Sequence, residues 1–143
     1  KLFRSHKAGC KDGEQLRDFI YVKDVVAVCY WMMGEETSNV KRETSAGTFR
    51  TADVSRLTSG LYNLGTGTAR TFNDLAKATF AGLDLEPHIE YINMPEDIRD
   101  KYQYFTEAKM DKLRQAGYQE EFHTLENGVD DYVRNYLSKR TFF

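Results

Sequence analysis

Residues 17–33, RDFIYVKDVVAVCYWMM, change period in mid-course. Over 17–23, Phe19 and Tyr21 alternate with Asp18, Ile20 and Val22, and the aromatic and β-branched content predicts a strand. Asp24 then stands where a helix N-cap belongs. Beyond it, Val25, Val28, Cys29 and Met32 fall at the i, i+3, i+4, i+7 spacing of a helix face. Val26, Tyr30 and Met33 occupy much of the other side, and no charge interrupts 25–33. A helix apolar nearly all round needs cover on more than one face. A strand running straight into such a helix is an α/β signature, and the rest of the chain is read outward from it.

Upstream, residues 1–16 begin apolar and turn polar, which predicts a short strand followed by a loop. Downstream, residues 35–59 lack a sustained apolar period and predict a long insertion loop, of a length that is uncommon in compact domains. GLYNLGTG (60–67) predicts a strand from Leu61 to Leu64 and a glycine-punctuated turn. Thr71 is placed to cap a helix with Asp74 at N3, a near capping box. Phe72, Leu75, Ala76, Thr79 and Leu83 would form that helix's apolar face. HIEYI (88–92) predicts a strand and PED (95–97) a turn. Thr106 predicts a further helix start, with Phe105 and Met110 at hydrophobic-staple positions. Gly117 sits where a helix-ending glycine belongs. Thr124 predicts the last cap, with Leu125, Val129, Tyr132, Val133, Tyr136 and Leu137 as a buried stripe. The order β-α-β-α-β-α-α places the chain in the α/β class.

The 143 residues carry 20 basic and 22 acidic side chains and a formal net charge of -2. That mixed balance gives no electrostatic footprint for nucleic acid or an anionic membrane. No run of about 18 apolar residues exists to span a bilayer. Two cysteines, Cys10 and Cys29, make neither a disulfide framework nor a zinc module, and a cytoplasmic compartment is the simplest expectation. His6, His88 and His123 are scattered, so no metal site is expected.

GTG at 65–67 looks like half of a phosphate-cradling loop, but a dinucleotide fingerprint needs a third glycine where Arg70 stands. A tight turn is the plainer reading. The acid pairs Glu96–Asp97 and Asp130–Asp131 are expected on solvated turns and helix faces. Arg17 has two readings: a guanidinium fork for phosphate, or a surface ion pair with Asp18 or Asp24. Tyr102 and Tyr104 could be core aromatics or a stacking surface. Composition and spacing alone therefore reach an α/β domain with a possible anion site.

Four stretches add more: RDFIYVKDVVAVCYW (17–31), GLYNLGTGTARTFNDLA (60–76), DIRDKYQYFTEAKMDKLRQAGY (97–118) and LENGVDDYV (125–133). Together they resemble the carboxy-terminal half of extended short-chain dehydrogenase/reductases, the nucleotide-sugar epimerases and dehydratases. KLF (1–3), RDKYQYFTEA (99–108) and LRQAGY (113–118) are similar to the branch that epimerises ADP-linked heptoses. The resemblance departs at 7–15, a longer loop, and at 36–58, a longer insertion.

What the resemblance implies is specific. The fold would be the substrate-binding portion of such an enzyme, with the amino-terminal NADP-binding part absent from residues 1–143. The activity would be inversion at C6″ of an ADP-linked heptose for lipopolysaccharide core synthesis, with NADP as cofactor of the full-length family and none held by this chain. The family's YxxxK base is not found: none of the nine tyrosines has a lysine four positions on. No catalytic residue is therefore assigned, and the chain alone is expected to be inactive. On the substrate side, Phe3, Arg4, Ser5 and His6 map to the segment that touches the nucleotide. Arg17 maps to a diphosphate contact and Tyr102 to a further substrate contact. The implied partners are ADP-heptose, the remaining half of the same protein, onto which the 25–33 helix would pack, and further copies in a homo-oligomer. Another nucleotide-sugar epimerase or dehydratase, or a non-catalytic nucleotide-sugar-binding module, are the alternatives.

Overall fold

In a computed structural model, residues 1–33 and 60–140 are described, together with the backbone of two short strands between them. The elements in chain order are β1 (Leu2–Phe3), β2 (Leu16–Arg17), α1 (Val22–Met32), β3 (Glu43–Thr44), β4 (Gly47–Thr48), β5 (Arg70–Thr71), α2 (Phe72–Gly82), β6 (Tyr91–Ile92), α3 (Glu96–Arg99), α4 (Asp111–Gln115) and α5 (Leu125–Tyr132). A π-helical turn, Val133–Leu137, continues α5. The chain is thus mixed α/β, as expected. Apart from the antiparallel β3–β4 pair, the expected 35–59 insertion lies outside the described residues.

Three pairings set the strand framework. β1 runs parallel to β6, with Leu2 opposite Tyr91 and Phe3 opposite Ile92. β2 runs antiparallel to β5, with Leu16 opposite Thr71 and Arg17 opposite Arg70. On its other side, Leu16 also bridges to Phe105, donating to the Tyr104 carbonyl at 2.9 Å and accepting from Thr106 N–H at 3.2 Å. That second pairing overturns the expected helix start at Thr106. Residues 104–106 are held extended beside β2, and α4 begins only at Asp111, with Met110 as its N-cap.

The strand expected over 17–23 is likewise shorter. α1 starts at Val22, behind an extended Tyr21, so Asp24 lies inside the first turn and is not the cap. The reason is tertiary: the Asp24 carboxylate is buried and committed to His123. Residues 61–64 form no strand, and Leu61 is almost fully exposed. The expected strand at 88–92 shrinks to Tyr91–Ile92, and the PED turn opens a single helical turn, α3, after Pro95.

Other local expectations agree with the structure. Thr71 Oγ1 accepts from Asp74 N–H, and Asp74 reaches back to Thr71 N–H, a complete capping box on α2. Thr124 Oγ1 accepts from Asn127 N–H and caps α5. Gly117 has φ +109°, and α4 closes with Tyr118 N–H on the Leu113 carbonyl and Gly117 N–H on the Arg114 carbonyl. That pair of bonds is a Schellman ending, which glycine accommodates without Cβ strain. The α5 stripe agrees only in part: Val133 is buried, but Tyr132 and Leu137 are exposed.

The main core gathers Val28 and Trp31 of α1 against Leu113, Ala116 and Tyr118, with Met32, Tyr62, Leu64, Met110 and Phe122 packed on it. Trp31 meets Tyr118 edge-on at 5.3 Å, and Tyr118 stacks on Phe122 at 5.6 Å, favoured aromatic geometries. One face of α1 therefore turns inward. Val22, Val26, Cys29 and Met33 share the outward face and are exposed. Second, α2 packs along α5, placing Val133 in a separate buried position.

Candidate functional site

The framework brings β1, β2 and the 102–105 segment side by side, and the site grows from there. Arg17 ends β2 with its guanidinium turned across that ribbon. Nη1 donates to the Leu16 carbonyl at 2.8 Å, and Nη2 donates to the Gln103 carbonyl. Its Cζ lies 5.2 Å from the centre of the Tyr102 ring and 6.0 Å from that of Phe72, within cation–π range. Arg17 makes no ion pair with Asp18 or Asp24, because both carboxylates are committed elsewhere.

Tyr102 is half-buried between neighbours. Phe3 meets its ring edge-on at 6.5 Å, and Tyr104 does so at 5.5 Å. Burial raises the Tyr102 pKa, and the Tyr104 phenol adds to the rise, while the Arg17 charge opposes it. The phenol is therefore neutral near pH 7 and can donate a hydrogen bond. His6 joins the cluster through its backbone, N–H donating to the Tyr104 hydroxyl oxygen at 2.8 Å. Ser5 turns into its own loop, its N–H donating to Asp12 Oδ1 at 2.8 Å. Arg4 stands apart: its Nε donates to the Tyr91 carbonyl at 3.3 Å on the far edge of the β1–β6 pair. Of the six residues singled out by sequence, the structure thus joins Phe3, His6, Arg17 and Tyr102 through direct contacts or through Tyr104. Ser5 shapes the loop beside them, and Arg4 is aimed at β6.

Sequence reasoning missed Asp18. Its carboxylate accepts from Thr66 N–H at 2.7 Å, Thr66 Oγ1 at 2.6 Å, Gly67 N–H at 2.9 Å and Ala108 N–H at 3.0 Å. Burial alone would raise its pKa, but these donors overcome that penalty and the net shift is downward, as expected of a carboxylate held by several N–H groups. Gly65 makes the approach possible: a Cβ there would sit 2.4 Å from Asp18 Oδ2 and 2.6 Å from the Ala108 Cβ. Just beyond the turn, Thr68 N–H is satisfied by Thr66 Oγ1 and Ala69 N–H by Glu107. The GTG turn is therefore a structural joint in which Asp18 already occupies the Thr66 and Gly67 amides that would otherwise face a dinucleotide phosphate. The signal was present in the sequence as an aspartate beside Arg17 and a glycine turn, but only the fold joins them.

Among the described residues no three His, Cys, Asp or Glu side chains converge as a metal site. No helix among them is long and apolar enough to cross a membrane. Cys10 and Cys29 are free thiols. A separate groove of about 540 Å³ runs between α2, α5 and residues 19–21, lined chiefly by apolar side chains such as Leu75, Leu125 and Val129.

The NAD dependent epimerase/dehydratase family matches residues 5–47. ADP-L-glycero-D-manno-heptose-6-epimerase of Fusobacterium nucleatum is 49% identical over 145 aligned residues, covering 97% of this chain and 38% of that protein. The protein of that name from Nitratidesulfovibrio vulgaris strain DP4 is 49% identical, covering 96% of this chain and 36% of its own length. Its counterpart in the Hildenborough strain is 48% identical over the same shares.

This chain is similar to heptose-6-epimerases. The likeness extends over nearly all of it, while the chain spans a little over a third of the length of the curated relatives it matches.

Proposed function

We propose that this chain forms the substrate side of an epimerase acting on a nucleotide-linked sugar, with the ADP-linked heptose inverted at C6″ as the specific reaction. One observation carries the reading: the Arg17 guanidinium lies over Tyr102 at 5.2 Å without a carboxylate partner among the described residues. A planar cation placed beside aromatic rings suits a ligand that carries phosphate oxygens next to a planar base. The similarity to relatives that are named heptose-6-epimerases supports the same choice.

In this reading Arg17 takes the diphosphate and Tyr102 donates its phenolic proton to a substrate oxygen. Phe3 supports the Tyr102 ring, and the Arg4–His6 backbone borders the nucleotide. These groups bind and orient; proton removal at the sugar is assigned to none of them. The whole protein is proposed to use a nicotinamide dinucleotide, NADP by resemblance. The Thr66 and Gly67 amides are already engaged by Asp18, so this chain is assigned the substrate alone, and without a YxxxK pair it is assigned no turnover by itself.

Titration of the protein with ADP, followed by calorimetry, tests the proposal. Arg17→Ala is expected to weaken ADP binding at least about tenfold, equivalent to about 1.4 kcal/mol. Equal affinities for the two proteins would sink the assignment of Arg17. Turnover of ADP-heptose by the 143 residues alone would sink the division of labour.

A further inference from the structure

The loop from Ser5 to Asp12 is tied down at two points. Ser5 N–H donates to Asp12 Oδ1 at 2.8 Å, which closes the loop on itself. His6 N–H donates to the Tyr104 hydroxyl oxygen at 2.8 Å, which fastens the loop to a residue 98 positions away. Tyr104 is a firm anchor, because its carbonyl accepts from Leu16 N–H at 2.9 Å and fixes its backbone beside Arg17. The Lys7 ammonium then stands 5.6 Å from the centre of the Tyr104 ring. Lys7 and Arg17 thus lie over adjacent rings of one tyrosine pair, 5.5 Å apart at their centres. Among the described residues neither cation is ion-paired with a carboxylate.

We infer that Tyr104 is a positioning residue that fastens the Ser5–Asp12 loop so that Lys7 joins Arg17 as a second cation for the diphosphate of a nucleotide ligand. The inference rests on the nucleotide reading of the site given above. Its physical basis is preorganisation. A lysine on a free loop must be ordered when the ligand arrives, and that ordering opposes binding. Here the loop's backbone is already held by the Tyr104 hydroxyl, and the ring beneath Lys7 favours its charge at that place. A diphosphate offers a phosphate to each cation, whereas a monophosphate offers only one.

The test compares ADP and AMP binding to the protein and its variants by calorimetry, with amide exchange at His6 and Lys7 as a second readout. Lys7→Gln is expected to weaken ADP about threefold, as for an exposed charge contact, and AMP less. Tyr104→Phe keeps the ring and removes the acceptor. It should speed exchange at His6 without ligand and weaken ADP about as much as Lys7→Gln does. The double variant should bind no worse than Lys7→Gln alone, because both act through one cation. Unchanged exchange at His6, or losses that multiply in the double variant, would overturn the role of Tyr104. If Arg17→Ala abolishes ADP binding while Lys7→Gln leaves it intact, the nucleotide site stands and this inference fails. If the unsubstituted protein binds no ADP, both fail together.

Discussion

The Asp24 carboxylate lies 2.6 Å from Nδ1 of His123, and its second oxygen accepts the His123 backbone N–H at 2.9 Å. Asp24 belongs to the first turn of α1, while His123 immediately precedes the cap of α5. The pair therefore ties together two helices whose residues are 99 positions apart in the chain. Tyr21 packs edge-on against the same imidazole at 5.3 Å.

Asp24→Ala should be costly for that reason. Asp24 is 5% exposed, and its loss leaves the His123 amide without its acceptor, while the His123 ring, 45% exposed, can turn to water. A loss of about 1–3 kcal/mol in urea unfolding is expected, the cost of leaving a hydrogen-bond donor without its partner. A change below about 0.5 kcal/mol, the scale of an ordinary surface substitution, would show that the link does not hold the helices.

The Asp18–turn joint predicts coupling. Gly65→Ala drives a Cβ into Asp18 Oδ2 and the Ala108 side chain, and overpacking of this kind costs about 1–3 kcal/mol. Asp18→Ala strands the N–H groups of Thr66, Gly67 and Ala108. It also removes one of the atoms that the added methyl group would strike. The double variant should therefore lose less stability than the two single losses added, a double-mutant-cycle result measurable by urea unfolding. Simple additivity would mean that the turn and Asp18 are independent.

These two examples show what the sequence makes legible. The Thr71–Asp74 capping box, the Thr124 cap and the Gly117 ending were readable because donor and acceptor lie within a few residues. The α/β class followed from the period change at 17–33. Asp24 satisfied the same local rule for an N-cap, but His123 claimed its carboxylate and the helix began earlier, at Val22. Thr106 looked like a cap, yet backbone pairing with Leu16 kept it extended. Arg17 and Tyr102 stood out through family resemblance, with composition leaving each of them two readings. Tyr104 gained its role only from contact with a loop at the other end of the chain.

Acid should weaken one joint in a defined window. Asp131 Oδ2 accepts from Lys23 Nζ at 2.7 Å and from the Tyr21 hydroxyl, while Oδ1 accepts from Asn135 at 2.8 Å. Led by the Lys23 bond, these donors lower its pKa to about 2, below the unfolded aspartate value of about 3.9. Folding therefore favours the ionised form. Its contribution is complete above about pH 4 and fades as pH falls toward about 2. Asp131→Asn should flatten the fall in urea-unfolding stability between those values without removing it, because Asp18 and Asp74 are also shifted downward. An unchanged slope would place the acid sensitivity elsewhere.

At the start of α2, Thr71 Oγ1 accepts from Asp74 N–H at 3.0 Å, and Asp74 Oδ2 accepts from Thr71 N–H and Arg70 Nε, both at 3.2 Å. Burial pushes the Asp74 pKa upward, but the bonds from Thr71 and the Arg70 charge outweigh it and the net shift is down. Thr71→Val keeps the shape and removes the hydroxyl. It should cost about 1 kcal/mol, the usual worth of an N-cap, while Thr71→Ser should recover most of that loss. The same exchange should let the Asp74 pKa drift back up, since a hydroxyl bond that favours the charged form is gone. Carboxyl titration by NMR reads that drift directly. A Thr71→Val protein with full stability and an unmoved Asp74 titration would mean that backbone pairing of β5 with β2, and not the capping box, sets where α2 begins.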